Sequence, residues 1–180
     1  MKKLWYLSLL SLSLQGNDIT LTVERHLTAE LGDAATAKAL STMLVNTTLS
    51  WQAPAIAIKE INTILAFAFG NRILPNGNRL PGPMNEALAD TAVRLYAETK
   101  APVYAQWEVA QAIGTRIPAE KLIVINPKLD AMGNVIYLDT TGVASAAINQ
   151  AANTQKLGNV AVVAFADHLY RCVKTSRDAG

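Results

Sequence analysis

The sequence predicts an α/β fold, Rossmann-like, with three layers and a mainly parallel sheet of about five strands, preceded by a helical N-terminal region. Three observations predict it. Short, unbroken apolar runs recur in the last two-thirds of the chain and each stops at polar residues. Segments with helical periodicity separate them, and a strand–helix alternation marks a parallel sheet covered on both sides. Across 180 residues, 51% are hydrophobic and 17% charged, enough to build a sizeable core and too apolar for a disordered chain.

In chain order, Lys2-Lys3 precedes the apolar stretch Leu4 to Leu14. A basic start and an apolar run of this length resemble a secretory signal peptide or membrane tether, assigned to residues 1–16. The run is too short to span a bilayer, and Ser13-Leu14-Gln15-Gly16-Asn17 offers no clean small-x-small cleavage site. An ordinary apolar helix packed on the domain is the other reading. Residues 17–64 read as a helical region packed on the sheet. Asp18 to Leu31 ends near Gly32, Asp33 is placed to cap Ala34 to Val45, and Pro54 opens a helical stretch from Ala55 to Ile64.

Residues 65–180 form the α/β part. The expected strands are Leu65 to Phe69, Val103 to Ala105, Leu122 to Ile125, Val135 to Leu138 and Val160 to Ala164. Runs without alternation suit strands buried on both faces. The helices lie at Asn85 to Lys100, Glu108 to Ile113, Val143 to Leu157 and Asp167 to Ala179. Arg72 to Met84 is a loop rich in Pro, Gly and Asn.

Ligands of open parallel sheets sit beyond the carboxyl ends of the strands. That rule selects Asn71 and Arg72, Gln106 and Glu108, Thr140 and Thr141, and Asp167, His168 and Arg171. Capping accounts for Asp139, Thr141 and Asp167, but less well for Arg72, Gln106, His168 or Arg171. His168 and Arg171 are three apart, neighbours on a helix surface. Beside a helix N-terminus they suit a phosphate or carboxylate, since Arg presents a planar fork of donors. A solvated basic stripe of Arg171, Lys174 and Arg177 is the competing reading. His168 and Glu108 are the candidate general acids or bases. Glu108 also suits a structural hydrogen bond to a neighbouring loop.

Several classes are excluded or disfavoured. With two histidines and one cysteine, a metal site is not expected, nor is an internal disulfide. Net charge is +2, which gives no attraction to nucleic acid. No P-loop, G-x-S-x-G or G-x-G-x-x-G motif occurs, and no cofactor is assigned. Cys172 falls on an apolar helix face and reads as core.

From Leu65 to Gly180 the chain resembles the YdcF/SanA/ElyC-like family of bacterial α/β domains. The resemblance rests on Phe69-Gly70-Asn71-Arg72 after the first strand, Ala92-Val93-Arg94-Leu95-Tyr96, Lys100-Ala101-Pro102-Val103-Tyr104, and Val160 to Gly180 with His168 and Arg171. The family's Ser-Gly-Gly turn is replaced by Gln106-Trp107-Glu108, and its Asn-Thr-x-x-Asn element by Thr140-Thr141-Gly142. Relatives usually continue with another strand and helix, so this chain is expected to be a divergent member, either shortened or a truncated product. The resemblance implies an envelope location, periplasmic or membrane-associated, and a small anionic or nucleotide-like ligand; a cytoplasmic location is the alternative. Two functions remain open. One is an envelope-associated enzyme of cell-wall metabolism or binding domain, acting on a small anionic ligand that is phosphorylated or nucleotide-like. The other is a non-catalytic interaction domain, including a homo-oligomer, with a vestigial site.

Overall fold

The computed structural model describes residues 4–48, 50–77, 79–132, 135–152 and 156–180, with side chains from residue 18 onward. Lys2, Lys3, Asn78, the side chains of Leu4 to Leu14 and residues 153–155 of the expected Val143-to-Leu157 helix lie outside that description. The chain divides into two compact units, residues 1–52 and 53–180.

The first unit is a helical hairpin. Helix α1 (Leu4–Leu31) runs to Gly32, whose φ of 64° is the left-handed conformation that ends helices. Asp33 then caps α2 (Ala34–Thr48), its Oδ1 accepting from the amides of Ala35 and Thr36 at 2.9 and 3.1 Å. Ala37, Ser41 and Val45 are the buried residues of α2, four apart and so on one face. Among the described residues no helix is long and apolar enough to cross a membrane.

The second unit is a Rossmann-like α/β domain. Its sheet contains β1 (Thr63–Ala66), β4 (Val103–Gln106), β5 (Leu122–Ile125) and β8 (Val160–Val163), in the order β5-β4-β1-β8 and all parallel. Ile64 pairs with Val103 on one side and Ala161 on the other. Four of the five expected runs thus make the sheet. Val135–Ile136, expected as a fifth strand, is β7 of a separate antiparallel ribbon with β6 (Lys128–Leu129). Both of its residues are exposed, so burial never forced them into the sheet. A second ribbon joins β2 (Arg72–Ile73) to β3 (Arg79–Leu80). The stretch after Pro54 forms one 3-10 turn, Ile58–Glu60, in place of the expected helix.

The strands are apolar on both faces because both are covered. Ile64, Ala66, Val103 and Ala105 pack with α3 (Pro83–Thr99) and α4 (Trp107–Ile113) through Leu88, Ala89, Ala92, Val109 and Ile113. The alternate residues Leu65, Phe67 and Tyr104 pack on the other face with α5 (Thr140–Ala151) and α6 (Ala166–Asp178) through Val143, Ala147 and Cys172. Burying Phe67 or Ile64 stabilises the fold by roughly 1.5–3 kcal/mol each. Cys172 is core, and burial pushes its thiol up to about 12.

The amino ends of β1 and β8 are locked together by polar side chains. Thr63 Oγ1 donates to the Leu157 carbonyl at 2.7 Å, and Asn62 Oδ1 accepts from the Asn159 amide at 2.9 Å. Gly158 sits between them with φ at 64°. A Cβ there would lie 2.5 Å from Asn62 Oδ1 and 2.9 Å from its Cβ. Gly158→Ala is therefore expected to lower unfolding stability by about 2 kcal/mol through clash and backbone strain, measured by urea denaturation.

Candidate functional site at the carboxyl edge of the sheet

The strand order creates a switch point between β1 and β8. From β1 the chain moves outward through β4 to β5, then returns to add β8 on β1's other side. The connection from β1 leads to one side and the return from β5 adds β8 on the other, and in open parallel sheets such a point marks the crevice beyond the carboxyl ends where ligands bind. Three segments meet there: the loop after β1, the start of α5 and the start of α6.

The loop after β1 is held by two side-chain amides. Gln106 Oε1, at the end of β4, accepts from the Ala68 amide at 2.9 Å. Asn85 Oδ1 accepts from the Phe69 amide at 2.8 Å, while its Nδ2 donates to the carbonyls of Gly70 and Pro81 at 2.7 and 2.6 Å. Asn85 is fully buried in the first turn of α3. The chain can turn sharply into that helix because Gly82 has φ of 79° and approaches the Arg72 amide, where a Cβ would sit at 3.3 Å.

This anchored loop carries Phe69 over the crevice. Its ring stacks on Phe165, from the end of the β8 connection, at 4.5 Å between centroids. His168 lies 6.2 Å from Phe69, tilted to it. Across the crevice Asp139 caps α5, its Oδ1 accepting from the Gly142 amide at 2.6 Å. The cap sets Thr140 at the start of the helix, and Thr140 Oγ1 reaches His168 Nε2 at 3.5 Å, the long limit of a hydrogen bond. The N-termini of α5 and α6 therefore converge on one imidazole. Burial lowers the His168 pKa below its ordinary 6.5, and the Arg171 guanidinium lowers it further. The ring is neutral at pH 7, able to accept or donate through Nε2. Arg171 is exposed and has no carboxylate partner among the described residues.

A second group forms on the other side of the loop. Asn71 Nδ2 donates to the Tyr137 hydroxyl at 3.3 Å, and Asn71 Oδ1 accepts from Arg79 at 3.4 Å. The Arg79 guanidinium also lies over the Tyr137 ring, 5.3 Å from its centre. These contacts join the two ribbons. Glu108, in the first turn of α4, is buried with no partner for Oε2 among the described residues. Burial raises its pKa, opposed by its own backbone amide and by the Arg79 charge. Trp107 carries a buried indole N–H with no acceptor among the described residues. It lines a cavity of about 420 Å3 with Arg79, Gln111, Val124 and Asn126, beyond the ends of β4 and β5.

The expected residues thus separate by role. Thr140, His168 and Arg171 come together at the two helix N-termini. Gln106 and Asn71 serve the loop and the ribbons through their hydrogen bonds. Arg72 is exposed and pairs with Glu86 of α3 at 3.5 Å, so its charge is engaged outside the His168 group. Thr141 and Asp167 are exposed and make no side-chain hydrogen bonds among the described residues. Sequence reasoning missed Phe69, Arg79, Asn85, Tyr137 and Phe165. Among the described residues no three His, Cys, Asp or Glu side chains gather to hold a metal ion. Comparison with protein-family models, curated proteins and solved structures finds no match.

Two titrations check this geometry. Glu108 has a raised folded pKa, so its contribution to stability is fully present below its ordinary 4.5 and falls as pH rises through the shifted value. Glu108→Gln is expected to be more stable than the parent at neutral pH, with the difference vanishing in acid, by thermal unfolding across pH. For His168, an NMR titration is expected to give a pKa below 6.5. Arg171→Gln moves it partway back, because burial, the larger cause, persists.

Proposed function

We propose that the carboxyl edge of the sheet binds a small anionic ligand, phosphorylated or nucleotide-like. The observation that carries this reading is the meeting of two helix N-termini at the switch point, beside Arg171, which has no carboxylate partner among the described residues. Each helix start presents backbone N–H groups and the positive end of its dipole. Arg171 adds a charged fork for two oxygens, and Thr140 a hydroxyl. The neutral His168 positions the ligand or exchanges a proton with it. Phe69 and Phe165 offer an apolar wall for a ring or sugar. Glu108, buried and more easily protonated than an ordinary carboxyl, is the second candidate acid–base group. Arg72, Gln106, Asn71, Thr141 and Asp167 frame this edge.

The likeness of Val160 to Gly180 to the YdcF/SanA/ElyC-like family agrees with this ligand class and with an envelope location. In that setting the domain is periplasmic or membrane-associated and acts on a cell-wall metabolite. A second reading, a non-catalytic interaction domain or homo-oligomer, is favoured by the ribbons. Ile73 and Leu129 are each 64% exposed and Met132 87%, an apolar display that no packing among the described residues covers.

Thermal unfolding with nucleotides, sugar phosphates and lipid-linked phosphates tests the first reading. A ligand at a hundred times its dissociation constant adds about 2.7 kcal/mol of stability. His168→Ala and Arg171→Ala are expected to abolish that response. If both variants respond like the parent, the reading fails; if no ligand acts and the protein dimerises with concentration, the second reading replaces it.

A further inference from the structure

The larger cavity of the α/β unit lies away from the carboxyl edge. It measures about 650 Å3, is open on one side, and is lined by one face of α5, by Ser176 of α6, by Gly180, by the sheet face and by the segment just before β8. That is within the range of roughly 300–1,000 Å3 found for small-molecule sites. Its floor is Leu65 of β1 and Val160 of β8, both hydrocarbon. From α5 come Ala144, Ile148, Ala151 and Ala152, spaced as one helix face. Ala144 and Ala151 are buried, whereas Ala152, Lys156 and Gly158 are exposed, so the space runs from a buried floor to an open rim.

Two polar groups belong to this space. Among the described lining residues Lys156 carries the one charged side chain, and it has no carboxylate partner among the described residues. Ser176, near the end of α6, has a buried hydroxyl oxygen with no hydrogen-bond partner among the described residues. A buried hydroxyl left unpaired is unfavourable, and a ligand oxygen relieves it. Both groups lie at the same end. Helix α6 starts at the carboxyl edge and runs back across the sheet, bringing Ser176 to the amino edge. Lys156 stands there too, just before β8 begins. Helix α5 runs the same way, with Ala144 near the carboxyl edge and Ala151 and Ala152 at the amino edge.

We propose that this cavity is a second ligand site, taking the hydrocarbon chain of a single-chain anionic amphiphile of the fatty-acid class. The carboxylate lies at the amino edge, paired with the Lys156 ammonium and accepting from the Ser176 hydroxyl. The chain runs along α5 past Ala151 and Ile148 towards Ala144, over Leu65. Protein interiors are close-packed, with few voids larger than a water molecule. Ala144, Ala151 and Ala152 on one side and Ser176 of α6 on the other leave this space unfilled.

The test uses the full chain with dodecanoate below its micellar concentration, followed by calorimetric titration and thermal unfolding. One dodecanoate per chain is expected to bind saturably and raise the unfolding temperature. Dodecanol, with the same chain and no charge, is expected to bind about tenfold or more weakly, as is dodecanoate to Lys156→Glu. Ala152→Trp at the exposed rim blocks entry and abolishes binding, with its fold checked by circular dichroism. Ser176→Val retains the fold and weakens dodecanoate while leaving dodecanol unchanged. His168→Ala and Arg171→Ala bind dodecanoate like the parent, which separates this site from the carboxyl edge. Absence of dodecanoate binding overturns the proposal, as does equal binding of dodecanol or binding that survives Ala152→Trp.

Discussion

The Asn85 amide is the constraint on which the carboxyl edge depends. It is fully buried, yet three of its hydrogen-bonding positions are used, on Phe69, Gly70 and Pro81. Each partner is a backbone group in a segment with no ladder of its own. The loop after β1 has left the sheet, and Pro81 precedes a helix that begins at Pro83. Backbone groups at such junctions must find partners or face unpaired burial, at roughly 1–3 kcal/mol each. One side chain meets that need for both ends of the ribbon-bearing excursion between β1 and α3. Gln106 adds the Ala68 amide from β4. Phe69 is therefore aimed by two amides from two different elements.

Consequences spread from that point through the aromatic stack. Phe69 against Phe165 ties the exit of β1 to the exit of β8, and His168 is one helical turn further on. The imidazole is thereby set between an apolar wall and Thr140, which is why burial outweighs other influences in holding it neutral. Arg171 reinforces the effect from the solvent side. The same edge is divided by chemistry: a half-buried histidine beside the exposed Arg171 on the β8 side, and a buried glutamate near Arg79 on the β4 side. Glu108 and His168 are thus partly desolvated while Arg171 stays exposed, and desolvated titratable groups beside a charge are a feature that functional sites share with structural networks.

Much of the sheet was legible because burial on both faces leaves an unambiguous mark. Ile64, Leu65, Val103, Tyr104 and Ile125 are all buried, and each belongs to a run without polar interruption. The same signal misassigned Val135 to Leu138, since a short apolar run says nothing of what it pairs with, and here it pairs only with Lys128–Leu129. Pro54 and the apolar residues after it suggested a helix, but β1 begins at Thr63 and leaves room for one 3-10 turn. At the site, the Asp139 cap and the His168–Arg171 spacing were local and could be read. Asn85 could not, because an amide near a helix start looks like a surface residue until backbone groups of Phe69 and Gly70, from the loop after β1, close on it together with Pro81. Arg72 and Arg79 were equivalent by composition. The ribbon register sets Arg72 against Leu80 and Ile73 against Arg79, and only then does Arg72 face Glu86 while Arg79 meets Asn71 and Tyr137.

The two ends of this sheet are built by opposite means. At the carboxyl edge, strands end and helices begin, so backbone donors, caps and charged side chains accumulate whatever the sequence intends. Polar character there is partly an obligation of the fold, and the informative residues are those beyond it: Arg171 with no carboxylate partner among the described residues, and Glu108 buried with its Oε2 unpartnered among them. At the amino edge backbone groups are met by side chains: Thr63 donates to the Leu157 carbonyl, Asn159 Nδ2 donates to the Glu60 carbonyl, and Asn62 accepts from the Asn159 amide. The remaining features of that end are not required by strand–helix geometry. A helix face of alanines opposite Ser176 does not follow from parallel-sheet packing, which is met by the larger residues Val143 and Ile125 on the same face. Where α5 departs from that pattern, it gives up apolar contact that bulkier side chains would provide, each buried methylene being worth about 0.8 kcal/mol. Such a departure is sustained when something else fills the space.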